Sequence, residues 1–366
     1  MRGTLVEAHI ADIHFGVIDP YTQLDILRTQ FLDKIAMLPK LDIVSINGDY
    51  FDRKYLANSD VITCANQFMS ELVTLCKQRN TSIILIHGTE SHDAHQLGLY
   101  YHYVKDPSID FHIISKARFI TVKGKVILCL PEESCRGQEY YETLFRKQEY
   151  DACYLHGTYV GSIYGTNKPD LNARRPIFEL KNFWRCTGPI ICGHVHIALC
   201  LNRHVYYCGS PIRWMFNEEQ PKGFLILCHN LDTREYYIHM EEIVSFKYVT
   251  IDVDSLLMSD PRQIIQYLEQ MKRDGVDYIR LKIKEPNDNL PIIKDYFHAS
   301  DWVSYDVVKT TLSMNKEVIQ SKYNGLDFLV DPNIDEFTKF VMYVNSQEGE
   351  GFVTVDKLKA ILKEEM

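Results

Sequence analysis

The chain has 366 residues, 46% of them hydrophobic and 24% charged, with a net charge of −9. That length favours two or three domains over one small core, and the composition excludes a low-complexity or fibrous chain. The acidic balance excludes a protein that coats nucleic acid by bulk attraction, so any such contact must be local. The first residues, Met1-Arg2-Gly3-Thr4, run into a strand without the apolar core of a signal peptide, and no apolar run reaches transmembrane length. A cytoplasmic protein is expected, with no membrane partner.

In chain order, Leu5, Val6, Ala8 and Ile10 predict a first strand, which ends in Ala11-Asp12-Ile13-His14-Phe15-Gly16. An Asp and a His two residues apart, where extended chain becomes a loop, can point into one cleft as metal ligands. Leu24, Ile26, Leu27, Phe31, Ile35 and Leu38 recur near helical period, and a strand, Ile43–Ile46, leads to Gly48-Asp49. Val61, Cys64, Phe68, Leu72, Leu75 and Cys76 mark a second helix before the strand Ile83–Ile86, which leads to His92-Asp93. This alternation implies a largely parallel sheet with crossover helices.

Short strands are expected at Phe111–Ile114, Phe119–Val122 and Lys125–Leu130, the last entering Pro131-Glu132-Glu133. They suggest a second sheet packed on the first. Ala152–Leu155 then ends in His156-Gly157, and Ile190–Cys192 in Gly193-His194-Val195-His196. Five strand ends therefore terminate in Asp or His. In open α/β sheets, ligands bind outside the carboxyl ends of the strands, so these residues should meet in one crevice. Mixed imidazole and carboxylate donors suit Mn, Fe or Zn better than Ca, and a two-metal site is the natural reading.

The ten cysteines are scattered, contain no Cys-x-x-Cys and read as small core residues. Residues 160 to 222 hold eight basic side chains against four acidic ones, a net of +4, leaving −13 in the remainder. Arg174 and Arg175 lie in this stretch and are candidate DNA-binding residues, with an ordinary solvated surface as the alternative. Tyr159 and Tyr164 are open to either base stacking or packing.

The ordered set Asp12/His14, Gly48-Asp49, a variant third motif, His156 and Gly193-His194-Val195-His196 resembles the calcineurin-like metallophosphoesterases. Tyr207-Cys208-Gly209-Ser210-Pro211-Ile212-Arg213, Glu218 and Lys222-Gly223-Phe224 narrow the resemblance to SbcD-type nuclease subunits of DNA repair, over about residues 5 to 230. The resemblance implies a two-sheet α/β/β/α sandwich and a metal-dependent DNA exonuclease or endonuclease with two divalent ions, Mn2+ first and Mg2+ or Fe2+ as alternatives. It implies Asp12, His14, Asp49 and His196 at one ion, Asp49 bridging, with His156 and His194 at the other. His92 would face the scissile phosphate without binding metal, and Asp93 would orient it. The third motif, Gly88-Thr89-Glu90-Ser91-His92-Asp93, departs from the family form: aligned on His92-Asp93, it puts Ser91 where an Asn carbonyl ligates the second ion, with Glu90 or water as substitutes.

Beyond residue 244, Lys247–Val253 reads as a strand, Ser259-Asp260-Pro261 as a helix start with Ile264, Leu268 and Met271 on one face, and Ile279, Leu281 and Ile283 as the inward side of a further strand. Trp302–Lys309 extends that sheet. The expected domains are a nuclease domain (1–244), a small α+β capping domain (245–312) whose Arg280, Lys282 and Lys284 could meet DNA, a linker (313–332) and a helical segment (333–366). In the last, Ile334, Phe337, Phe340, Val341 and Val344 form one apolar stripe and Val355, Leu358, Ile361 and Leu362 another. The resemblance implies that this segment grips an SbcC-type coiled-coil ATPase, and that the protein forms a homodimer. A small-substrate phosphodiesterase or phosphatase, or a non-catalytic DNA-end-binding scaffold, are the alternatives.

Overall fold

The runs Ile43-Val44-Ser45-Ile46 and Ile83-Ile84-Leu85-Ile86 are apolar almost without interruption because both faces of their strands are covered. The computed structural model describes residues 2–309, apart from 94, 134–135, 165–167, 170–176, 219, 257, 259 and 286, together with 338–339. The expected linker and nearly all of the C-terminal helical segment lie outside the described residues. The chain divides into two compact units, Met1–Thr250 with Gln270–Ile279, and Ile251–Glu269 with the chain from Arg280 onward.

The first unit is mixed α/β. One six-stranded sheet has the order Tyr236–Glu242, Gly223–Asn230, Thr4–Ile10, Ile43–Asn47, Ser82–Ile86, Phe111–Ile114. The last four run parallel, whereas Gly223–Asn230 lies antiparallel to Thr4–Ile10 and to Tyr236–Glu242. A second six-stranded sheet has the order Leu199–Leu201, Val205–Tyr207, Ile190–Gly193, Ala152–His156, Lys125–Leu130, Arg118–Val122, parallel in its middle and antiparallel at both edges. The expected parallel sheet is thus extended by antiparallel strands, and the second sheet too has a parallel middle between antiparallel edges, which need no crossover helix.

Alternation along each strand sorts side chains into layers. Leu5, Ile43, Ile84 and Ile86 of the first sheet share a buried cluster with Ile127, Cys129, Tyr154 and Ile191 of the second. The opposite face of the first sheet, with Ile10, Val44, Ile46, Ile83 and Leu85, packs on Leu24, Leu27, Phe31, Phe68 and Leu72. These come from Pro20–Leu27, the π-helical Arg28–Leu32 and the long helix Asp60–Arg79, which Ser59 caps and Asn80 ends in a left-handed conformation. Tyr141 and Phe145 of the helix Gln138–Lys147 cover the outer face of the second sheet.

Between the sheets Lys125 is fully buried, donating to Glu7 Oε1 at 2.6 Å and to Tyr154 Oη at 2.9 Å. Burial alone would raise the Glu7 carboxyl; the Lys125 ammonium and His9 together outweigh it and hold the group far below its ordinary value. The nine described cysteines are free thiols; six are buried as expected, whereas Cys186 and Cys228 are half-buried and Cys200 is exposed.

A three-stranded sheet has the order Tyr248–Asp252, Tyr278–Glu285, Val303–Lys309. Ile279, Leu281 and Ile283 are buried, whereas Lys282 and Lys284 are exposed. The helix Pro261–Arg273 buries Ile264, Ile265 and Leu268, and a further helix spans Leu290–Tyr296. Among the described residues no helix is long and apolar enough to cross a membrane.

Candidate metal centre

Parallel strands point their carboxyl ends the same way, and that alone brings distant loops together. The loop after Thr4–Ile10 runs beside the loop after Ile43–Asn47, joined by Asp12 N–H to Gly48 O (3.0 Å), His14 N–H to Asp49 O (2.9 Å) and Phe15 N–H to Tyr50 O (2.9 Å). Gln23, wholly buried, fastens the first loop from behind: its amide donates to Ile13 O at 2.7 Å and its carbonyl accepts from Gly16 N–H at 2.9 Å. Nothing in the sequence marked Gln23, because its partners are backbone groups. Asp12, His14, Asp49 and His194 take φ of 52°, 50°, 50° and 93°. Left-handed backbone at non-glycine residues costs roughly 1–3 kcal/mol each and collects at functional sites.

These residues converge. Among the described residues, Asp12, His14 and His196 form one group able to hold a cation, Asp49, His156 and His194 a second, and His14, Asp49 and His92 a third. His14 Nε2 lies 3.6 Å from Asp49 Oδ2 and 3.2 Å from His196 Nε2, and His156 Nε2 lies 3.3 Å from the same Asp49 Oδ2. The carboxylate contacts are longer than hydrogen bonds but near the ~3–3.5 Å that separates neighbouring ligands of an ion with ~2.0–2.2 Å bonds.

Tautomers agree with this. His156 Nδ1 faces Asn47 O at 2.8 Å; a carbonyl only accepts, so Nδ1 carries a hydrogen and Nε2, toward Asp49, is the nitrogen at which a cation would replace a proton. His194 N–H donates to Asp12 Oδ1 at 2.8 Å, which fixes that carboxylate, and buried His14 Nδ1 has no hydrogen-bond partner. Gly48 has φ +88°, and a Cβ there would stand 2.2 Å from His156 Nδ1, so only glycine admits the imidazole.

Burial pushes Asp12 up to about 6 and His14 down to about 3. Burial alone would lower His156 and raise Asp49. Their attraction reverses both, lifting His156 to about 10 and holding Asp49 far below its ordinary value. The centre thus balances charge with protons where a bound cation would displace them.

The third motif requires corrections. Glu90–Asp93 is a helical turn, which points Ser91 outward: it is exposed and belongs to none of the ligand groups. Thr89 occupies the interior instead, its N–H donating to Asp49 Oδ1 at 2.6 Å and its hydroxyl donating to Glu132 Oε2 at 2.9 Å. Asp93 does not orient His92. Its Oδ1 accepts from Tyr50 N–H (2.9 Å) and Phe51 N–H (3.2 Å), and its Oδ2 from Gly88 N–H (2.7 Å). Burial and then the Asp49 charge push this carboxyl up to about 7. His92 is instead held by the Asp52 carbonyl, which accepts from Nδ1 and leaves Nε2 available. The rings of His92 and His14 meet edge to face, centroids 4.6 Å apart.

Behind His196, Lys222 donates to the His196 carbonyl and to Ser210 Oγ, both at 2.8 Å, with Glu218 Oε2 3.3 Å away. Glu218 Oε1 lies 3.7 Å from His196 Nδ1. The Gly-Ser-Pro and Lys-Gly-Phe stretches therefore buttress one imidazole. Trp214 packs its ring on His14 and His196, at 5.3 and 5.1 Å. Tyr159 is buried against Phe183 and cannot stack a base; Arg174 and Arg175 lie outside the described residues, as does the side chain of Tyr164.

Glu132 went unrecognised in the sequence, though it follows a strand end like the others. Its Oε2 lies 3.6 Å from His194 Nδ1 and 3.9 Å from His156 Nε2.

No protein-family model matches the chain, and no curated protein does. One solved structure matches over 65% of this chain and 100% of its own at 9% identity, with a TM-score of 0.40. Another, the protein of unknown function AQ665 from Aquifex aeolicus, matches over 48% of this chain and 89% of its own at 18% identity, with a TM-score of 0.24. Neither score reaches 0.5, and neither likeness bears on function.

Proposed function

We propose that the chain is a metallophosphoesterase of the calcineurin-like α/β/β/α sandwich type, hydrolysing phosphodiester bonds of DNA in the manner of an SbcD-type nuclease subunit. The observation that carries this reading is the arrival, from four separate strand ends, of Asp12, His14 and His196 in one group within ligand distance and of Asp49, His156 and His194 in another, with Asp49 Oδ2 3.6 Å from His14 Nε2 and 3.3 Å from His156 Nε2. Two divalent ions, Mn2+ as the best match to these donors and Mg2+ or Fe2+ as alternatives, would supply a water nucleophile near neutral pH and a clamp on the phosphate oxygens.

The chain's own residues do the rest. Asp49 holds the two groups of donors to a common centre, and the Asn47 carbonyl keeps His156 in the tautomer whose Nε2 is free. His92 is anchored through Nδ1–H to the Asp52 carbonyl, which leaves Nε2 to face the substrate. When it carries a proton, Nε2–H donates to a non-bridging phosphate oxygen or passes that proton to the leaving alkoxide, worth typically 10²–10⁴-fold in rate.

DNA as substrate, an SbcC-type ATPase partner, a homodimer and a cytoplasmic location belong to the same proposal. They rest on the Gly209-Ser210-Pro211 and Lys222-Gly223-Phe224 stretches and on the apolar stripes of residues 333–366. The test is Mn-dependent cleavage of single-stranded DNA and of bis-nitrophenyl phosphate by wild type and His92→Ala. Turnover of the small ester without cleavage of DNA overturns the nuclease reading; no cleavage of either at any metal concentration favours a DNA-end-binding scaffold.

A further inference from the structure

Glu132 lies two residues past the strand Lys125–Leu130, which pairs in parallel with Ala152–His156, itself parallel to Ile190–Gly193. These three strands release their chains at one edge, so the sheet register that delivers His156 and His194 also delivers Glu132. The carboxylate is more than nine-tenths buried, a poor place for an anion unless something cationic or a set of donors faces it. Around it stand His194 Nδ1 at 3.6 Å, His156 Nε2 at 3.9 Å and the Thr89 hydroxyl at 2.9 Å. Thr89 Oγ1 is also 3.4 Å from Asp49 Oδ2, which itself lies 3.3 Å from His156 Nε2. Two imidazole nitrogens and two carboxylate oxygens, from four separated segments, therefore surround one small volume. The imidazole separations again exceed hydrogen-bond length and approach the ~3–3.5 Å between neighbouring ligands of one ion.

We propose that Glu132 is a direct ligand of the second cation, completing Asp49, His156 and His194. A carboxylate would then stand where the proteins this sequence resembles use a neutral amide carbonyl. Thr89, at the position after Gly88 in the third motif, holds that carboxylate through its hydroxyl and does not replace it as a ligand. Two features of the sequence are then one: the missing Asn of the third motif and the acidic residue after Pro131 compensate for each other. An ionised ligand in place of an amide also lowers the positive charge of the centre by one. The inference rests on the two-cation reading above.

The test is a calorimetric titration of the full chain with Mn2+. Wild type is expected to bind two ions. Glu132→Gln, which keeps the shape and removes the charge, is expected to keep one and weaken the other at least tenfold, while Thr89→Val weakens it less. Mn-soaked crystals of the wild type give a second measurement that needs no variant: anomalous peaks for two ions, one at ~2.0–2.2 Å from a Glu132 oxygen. Two ions bound by Glu132→Gln with wild-type affinities, or a second peak remote from Glu132, overturns the assignment and leaves the phosphodiesterase reading standing. Failure of the wild type to bind any Mn2+ overturns both.

Discussion

Asp93 offers the sharpest test of how the centre is held. Its carboxylate is 1% exposed and accepts three backbone N–H groups, tying the loop that carries Asp49 (through Tyr50 and Phe51) to the loop that carries Thr89 (through Gly88). Asp93→Ala leaves three buried donors without their acceptor, each worth roughly 1–3 kcal/mol. Removing a buried charge that the Asp49 carboxylate repels returns part of that, so the net loss should be about 2–5 kcal/mol. Asp93→Asn keeps one oxygen for Tyr50 and Phe51 but turns an NH2 group toward Gly88 N–H, losing one bond of the three, about 1–3 kcal/mol. Urea unfolding followed by fluorescence should show the Ala variant less stable than the Asn variant, and both below wild type, at unchanged slope. Mn2+ affinity should fall in the same order, because Asp49 and Thr89 lose their common anchor. An Ala variant within ~0.5 kcal/mol of wild type, or one more stable than the Asn variant, refutes the three-bond clamp.

Asp49→Ala should abolish Mn2+ binding and cleavage together, since its Oδ2 lies between the two donor groups, 3.6 Å from His14 Nε2 and 3.3 Å from His156 Nε2. His92→Ala should lose cleavage by 10²-fold or more while still binding Mn2+; loss of metal in that variant, read by calorimetry, would make His92 a ligand. Ser91→Asn should leave Mn2+ affinity unchanged, because the residue is exposed on the turn Glu90–Asp93; tighter binding would show that the turn rearranges. Lys125→Met should cost about 3–5 kcal/mol at pH 7 by leaving Glu7 buried without its cation. In wild type the Glu7 carboxyl lies below its unfolded value of 4.5, so its contribution is complete above pH 4.5 and is lost progressively as the pH falls from there through the depressed folded value. In the variant burial raises that carboxyl, and the penalty disappears once the pH is below 4.5 and both states are protonated. The gap between the two proteins should therefore narrow between pH 5 and 3, and a constant gap in acid melts would exclude this origin.

Most of the candidate centre was legible in the linear chain. An apolar run followed at once by Asp or His is a local pattern, and parallel strands necessarily align such ends. Asp12, His14, Asp49, His156, His194 and His196 could therefore be named from one dimension. The two-layer arrangement was legible for the same reason, because strands covered on both faces read as continuous apolar runs.

Tertiary structure decided the rest. The strand Gly223–Asn230 lies antiparallel beside Thr4–Ile10, a pairing across more than two hundred residues that no local period encodes. Ser91 faces outward and Thr89, for which the sequence suggested no role, faces inward, because a helical turn sets which side chains face inward and alignment on His92-Asp93 carries no information about that phase. Asp93 and Gln23 serve backbone groups, whose positions depend on how two loops lie against each other. The amino-acid order thus chose the donors, through patterns a few residues long. Only the packed chain, by fixing strand register and the rotation of a short turn, chose their neighbours.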